Sequence, residues 1–273
     1  MHLQILLTDF AMNKESKVVK FTPATFGSNF DPKNNNYLSE PEPSVRFLPD
    51  WYRKLSRFQK SNNISKLHPM NDRGTDGSAA GTKLCMPFFD TLAAGYMYKL
   101  DYDVHVSLDK DGFPTITWDG EAMIIDKRNM IDVPVPTAHH PLHFGWKVNW
   151  YCETPPGYSM LITHPMNRHD LPFTTLSGII DTDKWHTPVF TAFFLKRNFI
   201  GTIPKGTPIF QMVPIKRDDW DLEIDYSEKS IEENKIKEER RRISIFAYYK
   251  NYIWQRKNYR KGMADGLQSD DAE

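Results

Sequence analysis

The residue best placed to do chemistry is Asp181, which directly follows the short apolar run at positions 178–180. A carboxylate at the end of a short strand leaves the sheet, where it can act as a general base or hold a sugar hydroxyl. A plainer interpretation is that Asp181 and Asp183 build a polar turn around Thr182. Both interpretations place Asp181 at a strand end, and only the first gives it a ligand.

Histidines are unusually dense in one part of the chain, which raises the question of a transition-metal site. They are His139, His140, His143, His164, His169 and His186. Their spacing matches no zinc signature, no cysteine pair accompanies them, and the His-x-Asp motif of iron oxygenases is missing. We therefore expect structural or interface histidines and no metal site.

Residues 248–261 interleave aromatic side chains with lysine and arginine, a composition that can stack on bases and neutralise phosphates. The alternative is a helix that docks through Tyr249, Ile253 and Trp254 while its cations remain in solvent. We expect docking, and nucleic acid is not an expected partner. The whole chain agrees, because its 35 basic and 35 acidic residues cancel and create no net field.

The composition is typical of a globular protein from a compartment in which thiols stay reduced. The chain has 273 residues, of which 40% are hydrophobic, enough to bury one substantial core. Cys85 and Cys152 define no disulfide framework and favour a reducing compartment. No apolar run approaches the roughly 20 residues that cross a bilayer, and residues 1–12 lack the basic start and cleavage site of a signal peptide. We expect no membrane partner.

The middle of the chain alternates apolar and polar residues, as half-buried strands do. Residues 102–108 alternate in this way, Asp111 and Gly112 favour a hairpin turn, and residues 114–118 return. Short strands separated by Gly and Pro predict an all-β sandwich or barrel core. Further strands are predicted at 122–125, 146–152, 159–162, 178–180, 189–195 and 209–215, with Ile179 and Ile209 facing a common core.

The two flanks have different patterns. Residues 13–45 predict an extended arm, and residues 71–81 a flexible connector. Between them Asp50 is a candidate cap for a short helix at 51–55. Residues 227–259 contain no Pro or Gly and predict a C-terminal helix of one or two segments, which docks on the core or on a partner subunit and acts in assembly.

Several short motifs resemble the dUTPase and dCTP deaminase superfamily, the β-clip fold. The segment Gly178-Ile179-Ile180-Asp181 is similar to the family's Gly-Val-Ile-Asp. Gly206, Ile209 and Gln211 match its later Gly-x-x-Ile-x-Gln strand, and Ala94-Gly95-Tyr96 its early Ala-Gly-Tyr-Asp motif. The similarity covers roughly residues 86–216.

The resemblance implies a function and an assembly. Asp181 would be the catalytic residue that orients the attacking water. Gln211, Arg168, Trp185 and Tyr96 would be ligand-binding, contributing hydrogen bonds, charge and stacking surfaces. By the same resemblance the protein would be a homo-oligomer, as a trimer, that binds a nucleotide or another phosphorylated small molecule in a cleft shared between subunits.

The chain also departs from the family at positions that matter for catalysis. Met97 stands where the metal-associated Asp belongs, and Mg²⁺ prefers oxygen ligands. The phosphate-binding Arg-Ser pair is replaced by residues 164–168, which leave Arg168 as a substitute phosphate contact. The Gly-rich closing arm is missing too. Mg²⁺ is therefore disfavoured as a cofactor, and hydrolysis of dUTP or dCTP is expected to be absent or very weak.

A second resemblance is to an uncharacterised family of phage and bacterial proteins. It depends on segments 48–52, 85–90 and 165–172 and on the aromatic C-terminal stretch, and it implies a viral origin, in the host cytoplasm or the virion. The predicted organisation is an arm with a short helix at 1–85, a dUTPase-like β core at 86–217 and a helical tail at 218–273. Two functions stay open, a degenerate dUTPase-like ligand-binding protein and a non-enzymatic phage structural or host-interaction scaffold.

Overall fold

The structure is a computed structural model that describes residues 17–24, 39–60, 78–128, 133–185, 190–243 and 248–259. Most of its regular elements are short strands. In chain order they are β1 Lys20–Pro23, β2 Glu42–Pro43, β3 Phe58–Lys60, β4 Ser78–Ala80, β5 Tyr96–Lys99, β6 Val104–Leu108, β7 Pro114–Trp118, β8 Ile125–Lys127, β9 His139–Lys147, β10 Trp150–Glu153, β11 Tyr158–Thr163, β12 Phe173–Thr175, β13 Gly178–Ile180, β14 Phe190–Lys196, β15 Gly201–Ile203 and β16 Pro208–Lys216.

Helices are few and lie outside the sheets. Among the described residues the α-helices are α1 Asp50–Arg53, α2 Met86–Ala93 and α3 Glu228–Ile243. Two 3₁₀ turns, Ser44–Phe47 and Thr82–Leu84, precede α1 and α2, and a π-helical turn spans Tyr249–Ile253. None of the described helices is long and apolar enough to cross a membrane.

All strand pairs in the described residues are antiparallel. The largest sheet has the order β13-β11-β16-β5-β2, a second has β12-β14-β9-β8, and a third has β15-β6-β7; β1 pairs with β10, and β3 with β4. The expectation of a mainly β protein is confirmed. Within the residues the structure describes, no sheet closes into a barrel, so the barrel form of the prediction is not observed.

One hydrophobic core joins the three larger sheets. At its centre the Trp146 ring stacks on Phe193 with their centroids 3.6 Å apart, and Phe173 meets Trp146 edge-on at 5.1 Å. Such pairs contribute about 0.5–1.5 kcal/mol beyond the burial of their area. The Trp146 indole N–H donates to the Thr175 hydroxyl, which donates in turn to the Ile209 carbonyl. This chain of hydrogen bonds connects the four-stranded sheet to β16 of the five-stranded sheet.

Most predicted strands occur, and three predictions need correction. The strand expected at 122–125 overlaps β8, Ile125–Lys127, at Ile125 alone. The single strand expected at 146–152 is two strands, because β9 pairs with β8 and β14 whereas β10 pairs with β1, and the chain changes sheets at residues 148–149. Ile209 is buried as expected, but Ile179 is 64% exposed. β13 is an edge strand, and its alternation turns Ile180 toward the core instead of Ile179.

The N-terminal flank contributes strands to the core sheets. Where the structure describes the predicted arm, β1 lies along β10 and β2 along β5. The predicted helix at 51–55 is α1, which begins at Asp50 after Pro49, so that Asp50 lies in the first turn and does not cap it. Residues 71–77 of the predicted connector lie outside the described residues, and 78–80 form β4. The three-part division of the chain stays a prediction.

Gly95 connects α2 to β5 in a conformation that other residues rarely adopt. Its φ is +68°, and a Cβ there would stand 2.0 Å from the Met212 carbonyl oxygen on β16. Gly112 in the β6–β7 turn has a similar φ of +79°, but an added Cβ would meet nothing within 4 Å. A side chain at Gly112 would therefore cause backbone strain alone, whereas a side chain at Gly95 would cause both strain and a steric clash.

We predict that Gly95→Ala destabilises the protein far more than Gly112→Ala. A left-handed conformation costs an L-residue about 1–2 kcal/mol at either site, whereas the clash arises only at Gly95. Urea unfolding of both variants measures the difference. Equal losses of unfolding free energy would contradict the close approach of residue 95 to β16.

Candidate functional site

Asp181 leaves the five-stranded sheet directly after β13, as predicted. The Ser159 hydroxyl, on neighbouring β11, donates to Asp181 Oδ1 at 2.7 Å, and Arg217 Nη1 lies 3.2 Å from the same oxygen. Ser159 is fully buried, while the Asp181 side chain keeps 55% of its surface exposed. Asp181 is thus anchored by one carboxylate oxygen while its side chain remains accessible.

Asp183 and Arg217 form the strongest charged contact of this region. Arg217 Nη1 donates to Asp183 Oδ1 at 2.9 Å, Nη2 bonds the other carboxylate oxygen, and the Gly157 backbone N–H donates to that oxygen at 2.9 Å. The hydrogen bond from Arg217 lowers the pKa of Asp183 to about 2, and the same contact raises the pKa of Arg217. Both stay charged through the physiological range.

Arg217 also ties this cluster to β11. Its Nη1 donates to the Tyr158 carbonyl at 3.0 Å and to the Ser159 hydroxyl at 2.9 Å. With its donors directed at two carboxylates and β11, this guanidinium offers little to a phosphate. We call Ser159, Asp181, Asp183 and Arg217 the carboxylate cluster.

The turn after Asp181 is held by the main chain. The backbone N–H groups of Lys184 and Trp185 donate to the Asp181 carbonyl at 2.9 and 2.8 Å, and the Thr182 hydroxyl lies 2.7 Å from that of Thr154. This geometry agrees with the plainer interpretation of Asp181 and Asp183 as turn residues. The backbone carbonyl accepts these bonds, so the Asp181 carboxylate itself is not used by the turn.

Gln211 has a structural role at the other end of the same sheet. Its side chain is fully buried; Nε2 donates to the carbonyls of Thr91 and Ala94 at 2.9 and 2.6 Å, and Oε1 accepts the Met166 N–H at 3.0 Å. Ser159 pairs with Ile215, and Thr163 with Gln211. Four strand residues, roughly 13 Å, thus separate the two groups along β11.

The remaining predicted ligand residues are dispersed. Arg168 makes a two-pronged ion pair with Asp170 and donates to the Phe47 carbonyl. Tyr96, on β5, is partly buried with its ring edge-on to Phe21. Only Trp185 lies beside Asp181, with its side chain 54% exposed. One chain therefore does not assemble the predicted pocket, and the ligand-binding roles of Gln211, Arg168 and Tyr96 stay predictions.

In the described part of the chain, no three His, Cys, Asp or Glu side chains lie close enough together to hold a metal ion. Met97 is buried on β5, opposite Gln211 and Glu42.

His139 bonds the Thr137 carbonyl and the Thr174 hydroxyl. His164 accepts the Thr175 N–H at Nδ1, which leaves Nε2 to donate to the Arg168 carbonyl, and burial lowers its pKa. His186 lies outside the described residues.

Both cysteines are free thiols. Burial raises the pKa of Cys152 to about 12, so it stays protonated and a poor nucleophile.

Sequence reasoning missed an exposed segment between β16 and α3. We call this segment, residues 218–226, the arm; it is separate from the N-terminal arm predicted at residues 13–45. It contains no helix or strand, and four large apolar side chains alternate along it with acidic ones. Trp220, Leu222, Ile224 and Tyr226 are 87%, 89%, 65% and 81% exposed. The period of two was visible in the sequence and is typical of a strand with one apolar face.

The end of the described chain returns to α2 through Asp90. The Trp254 indole N–H and Lys257 Nζ reach Asp90 Oδ2 at 3.0 and 2.5 Å, and the Tyr259 hydroxyl donates to Oδ1 at 2.6 Å. Burial, and then this contact with Asp90, raises the pKa of Tyr259. Trp254 thus docks as the sequence predicted, whereas Tyr249 and Ile253, the other two expected docking residues, are 45% and 53% exposed. Phe246, which the helical pattern of residues 227–259 also predicts as a packing residue, lies outside the described residues.

Sequence reasoning also missed Ser159 and Arg217. Arg217 stands 34 residues beyond Asp183, and Ser159 is an ordinary strand residue, so no local pattern connects them to Asp181. The pairing of β11 with β16 brings them together. Comparison of the chain with models of known protein families and with curated proteins finds no match to either.

We predict that the ion pair controls the ionisation of Asp183. A ¹³C NMR titration of its carboxyl carbon should give a midpoint near 2, rising toward about 4, the ordinary aspartate value, in Arg217→Gln. Because folding lowers this pKa, the ionised pair stabilises the protein above about pH 4 and stops doing so as the pH falls toward 2.

Arg168→Gln is the matched control, since it removes a similar two-pronged pair and should shift Asp170 alone. An Asp183 midpoint that does not move in Arg217→Gln would contradict the assignment.

Proposed function

We propose that the chain is a non-enzymatic assembly protein, a homo-oligomer whose subunits are joined through the arm. The observation that carries this proposal is the arm itself, which holds Trp220, Leu222, Ile224 and Tyr226 in solvent. Fully burying such a side chain is worth about 1.5–3 kcal/mol. Four of them in one short segment provide apolar surface for a specific contact between chains, and the free energy of burying it offsets the cost of association.

The arrangement of the arm suits addition to another sheet. In an extended conformation, alternation would set the apolar side chains on one face and Asp219, Asp221, Glu223 and Asp225 on the other. An extended segment of this kind binds by adding a strand to an exposed sheet edge, where main-chain hydrogen bonds supply affinity and alternate side chains supply specificity. The acidic face discourages unspecific pairing in the free chain.

The core suits a scaffold better than a catalyst. Two polar groups predicted for a dUTPase-like site are engaged within the chain, Gln211 by backbone groups and Arg168 by Asp170. Arg217, the cation beside Asp181, is engaged by two carboxylates. Met97 is buried and supplies no oxygen ligand. These contacts support a protein without turnover of dUTP or dCTP.

The finer aspects of the proposal follow from the sequence resemblances. The core is a β-clip scaffold of dUTPase-like ancestry, supported by the short antiparallel strands and by the tight turn at Gly95. The assembly is a trimer, and the protein is of phage origin, acting in the host cytoplasm or as part of the virion.

A second candidate function is the binding of a nucleotide or related phosphorylated molecule beside Asp181. The accessible carboxylate of Asp181 next to the exposed ring of Trp185 favours it, since a carboxylate can hold a sugar hydroxyl and an indole can stack on a base. The predicted partners Gln211 and Arg168 lie elsewhere in the same chain, so this site belongs to a cleft between subunits.

A nucleotide panel screened by thermal unfolding tests the second candidate. A specific ligand at 100 times its dissociation constant should stabilise the protein by about 2.7 kcal/mol. Asp181→Asn should abolish the effect, and Asp126→Asn, which changes an exposed carboxylate on β8, should preserve it. If no nucleotide of the panel stabilises the protein, the nucleotide-binding function is contradicted and only the assembly function remains.

For the assembly function, we predict that replacing the four apolar arm residues by serine reduces the oligomer to a monomer without unfolding it. The side chains are exposed within the chain, so the core loses no contact. Sedimentation gives the mass, and circular dichroism with urea unfolding checks the fold. The matched control removes four exposed apolar side chains elsewhere, namely Val18, Met123, Ile179 and Ile200, and should leave the mass unchanged.

A monomeric wild-type protein, or an oligomer that keeps its mass when the arm is changed, would contradict the proposed function.

A further inference from the structure

We infer that the arm of one subunit binds a basic surface around α1 of a second copy of this chain. We call this surface the α1 patch; it consists of Arg53, Lys54, Arg57 and Phe58, with Trp51 at its border. The inference rests on the proposed assembly function and names the surface that receives the arm.

The α1 patch has an excess of positive charge, although α1 begins at the exposed Asp50 and Trp51 at the border donates to Asp170. From residue 51 to 58 the chain contains three cations and no acidic residue. Arg53, Lys54 and Arg57 are all exposed, and none forms an ion pair with a carboxylate of the described residues. Lys83 lies beside them, since its Nζ donates to the Arg53 carbonyl at 2.8 Å.

The arm carries the complementary charge. Asp218 is paired with Lys216, and Asp225 bonds Ser227 and Ser230 at the start of α3. Asp219, Asp221 and Glu223 have no cationic partner in the part of the chain that the structure describes. On an extended strand these three acids project from one face at intervals of roughly 7 Å. Three acids therefore face three cations.

The α1 patch also offers apolar side chains and a strand edge to the arm. Phe58 and Trp51 are 44% and 37% exposed at the α1 patch, where they can cover the apolar face of the arm. Phe58 begins β3, which pairs with β4 alone among the described strands, so its other edge can accept a further strand.

Electrostatics disfavours two other surfaces that could receive the arm. Two arms paired antiparallel with each other would place acids opposite acids, which is destabilising. The exposed edge of β13 is followed by Asp181 and Asp183, which would repel the arm. Within its own chain the arm does not bury its apolar side chains against the α1 patch or the β13 edge, because all four remain exposed. A chain of zero net charge with separate acidic and basic surfaces suits head-to-tail association between copies.

Charge exchange tests the pairing. One variant carries Asp219→Lys, Asp221→Lys and Glu223→Lys in the arm, and a second carries Arg53→Glu, Lys54→Glu and Arg57→Glu in the patch. Each variant alone should associate at least tenfold more weakly than the wild type, because like charges then meet. A single chain that carries both sets of substitutions should assemble again, since each of its arms then meets a patch of opposite charge on the next subunit at every interface of the ring.

The matched control reverses three exposed acids of α3, Glu228, Glu233 and Glu239, and should assemble as the wild type does. Carbodiimide cross-linking of mixed ¹⁴N and ¹⁵N wild-type protein gives an independent readout. Cross-links between Lys54 and the arm carboxylates should join light chains to heavy ones.

Different outcomes separate the two proposals. If the serine arm variant dissociates while both charge variants keep the wild-type mass, the arm binds elsewhere on the partner, and the α1 patch is wrong although the assembly function stands. Failure of the chain with both sets of substitutions to assemble, or cross-links only within single chains, would also overturn the pairing. A monomeric wild-type protein would overturn both proposals.

Discussion

The architecture depends on the junction where the Thr175 hydroxyl bridges the two largest sheets. It accepts the Trp146 indole N–H at 3.0 Å and donates to the Ile209 carbonyl at 2.6 Å, in a region from which solvent is excluded. A buried polar group that loses its partner costs about 1–3 kcal/mol. This junction therefore holds the stacked aromatic core on one sheet at a defined position relative to β16 on the other, and the elements attached to β16 follow from it.

β16 organises two distinct regions along its length. Near its middle, Gln211 satisfies the backbone groups of the α2 end and of the loop at Met166, and so fixes α2 against the sheet. Just beyond its end, Arg217 gathers the carboxylates that follow β13. α2 then carries Asp90, which receives the returning C-terminal segment. One strand thus connects the carboxylate cluster, the helical face and the tail.

Two of the predicted ligand residues, Gln211 and Arg168, are engaged by other groups of the same chain. An amide or guanidinium that is buried must find hydrogen-bond partners within the protein, and once these partners are backbone carbonyls or carboxylates little capacity remains for a ligand. The arm has the opposite character. Its four apolar side chains remain exposed, so the free energy of burying them is available to a further contact.

The sequence by itself determined the local features of this protein. Many strand positions in the middle of the chain, the hairpin between β6 and β7 and the emergence of Asp181 from a strand end follow from alternation and from Gly and Pro signals between near neighbours. Tertiary structure decided what those features became. Strand pairing brought Arg217 to Asp183, buried the Gln211 amide and exposed Ile179 on an edge strand. The physical reason is that Gln, Asp and Arg serve a ligand and a buried hydrogen-bond network equally well, and only long-range register decides which partners lie within bonding distance.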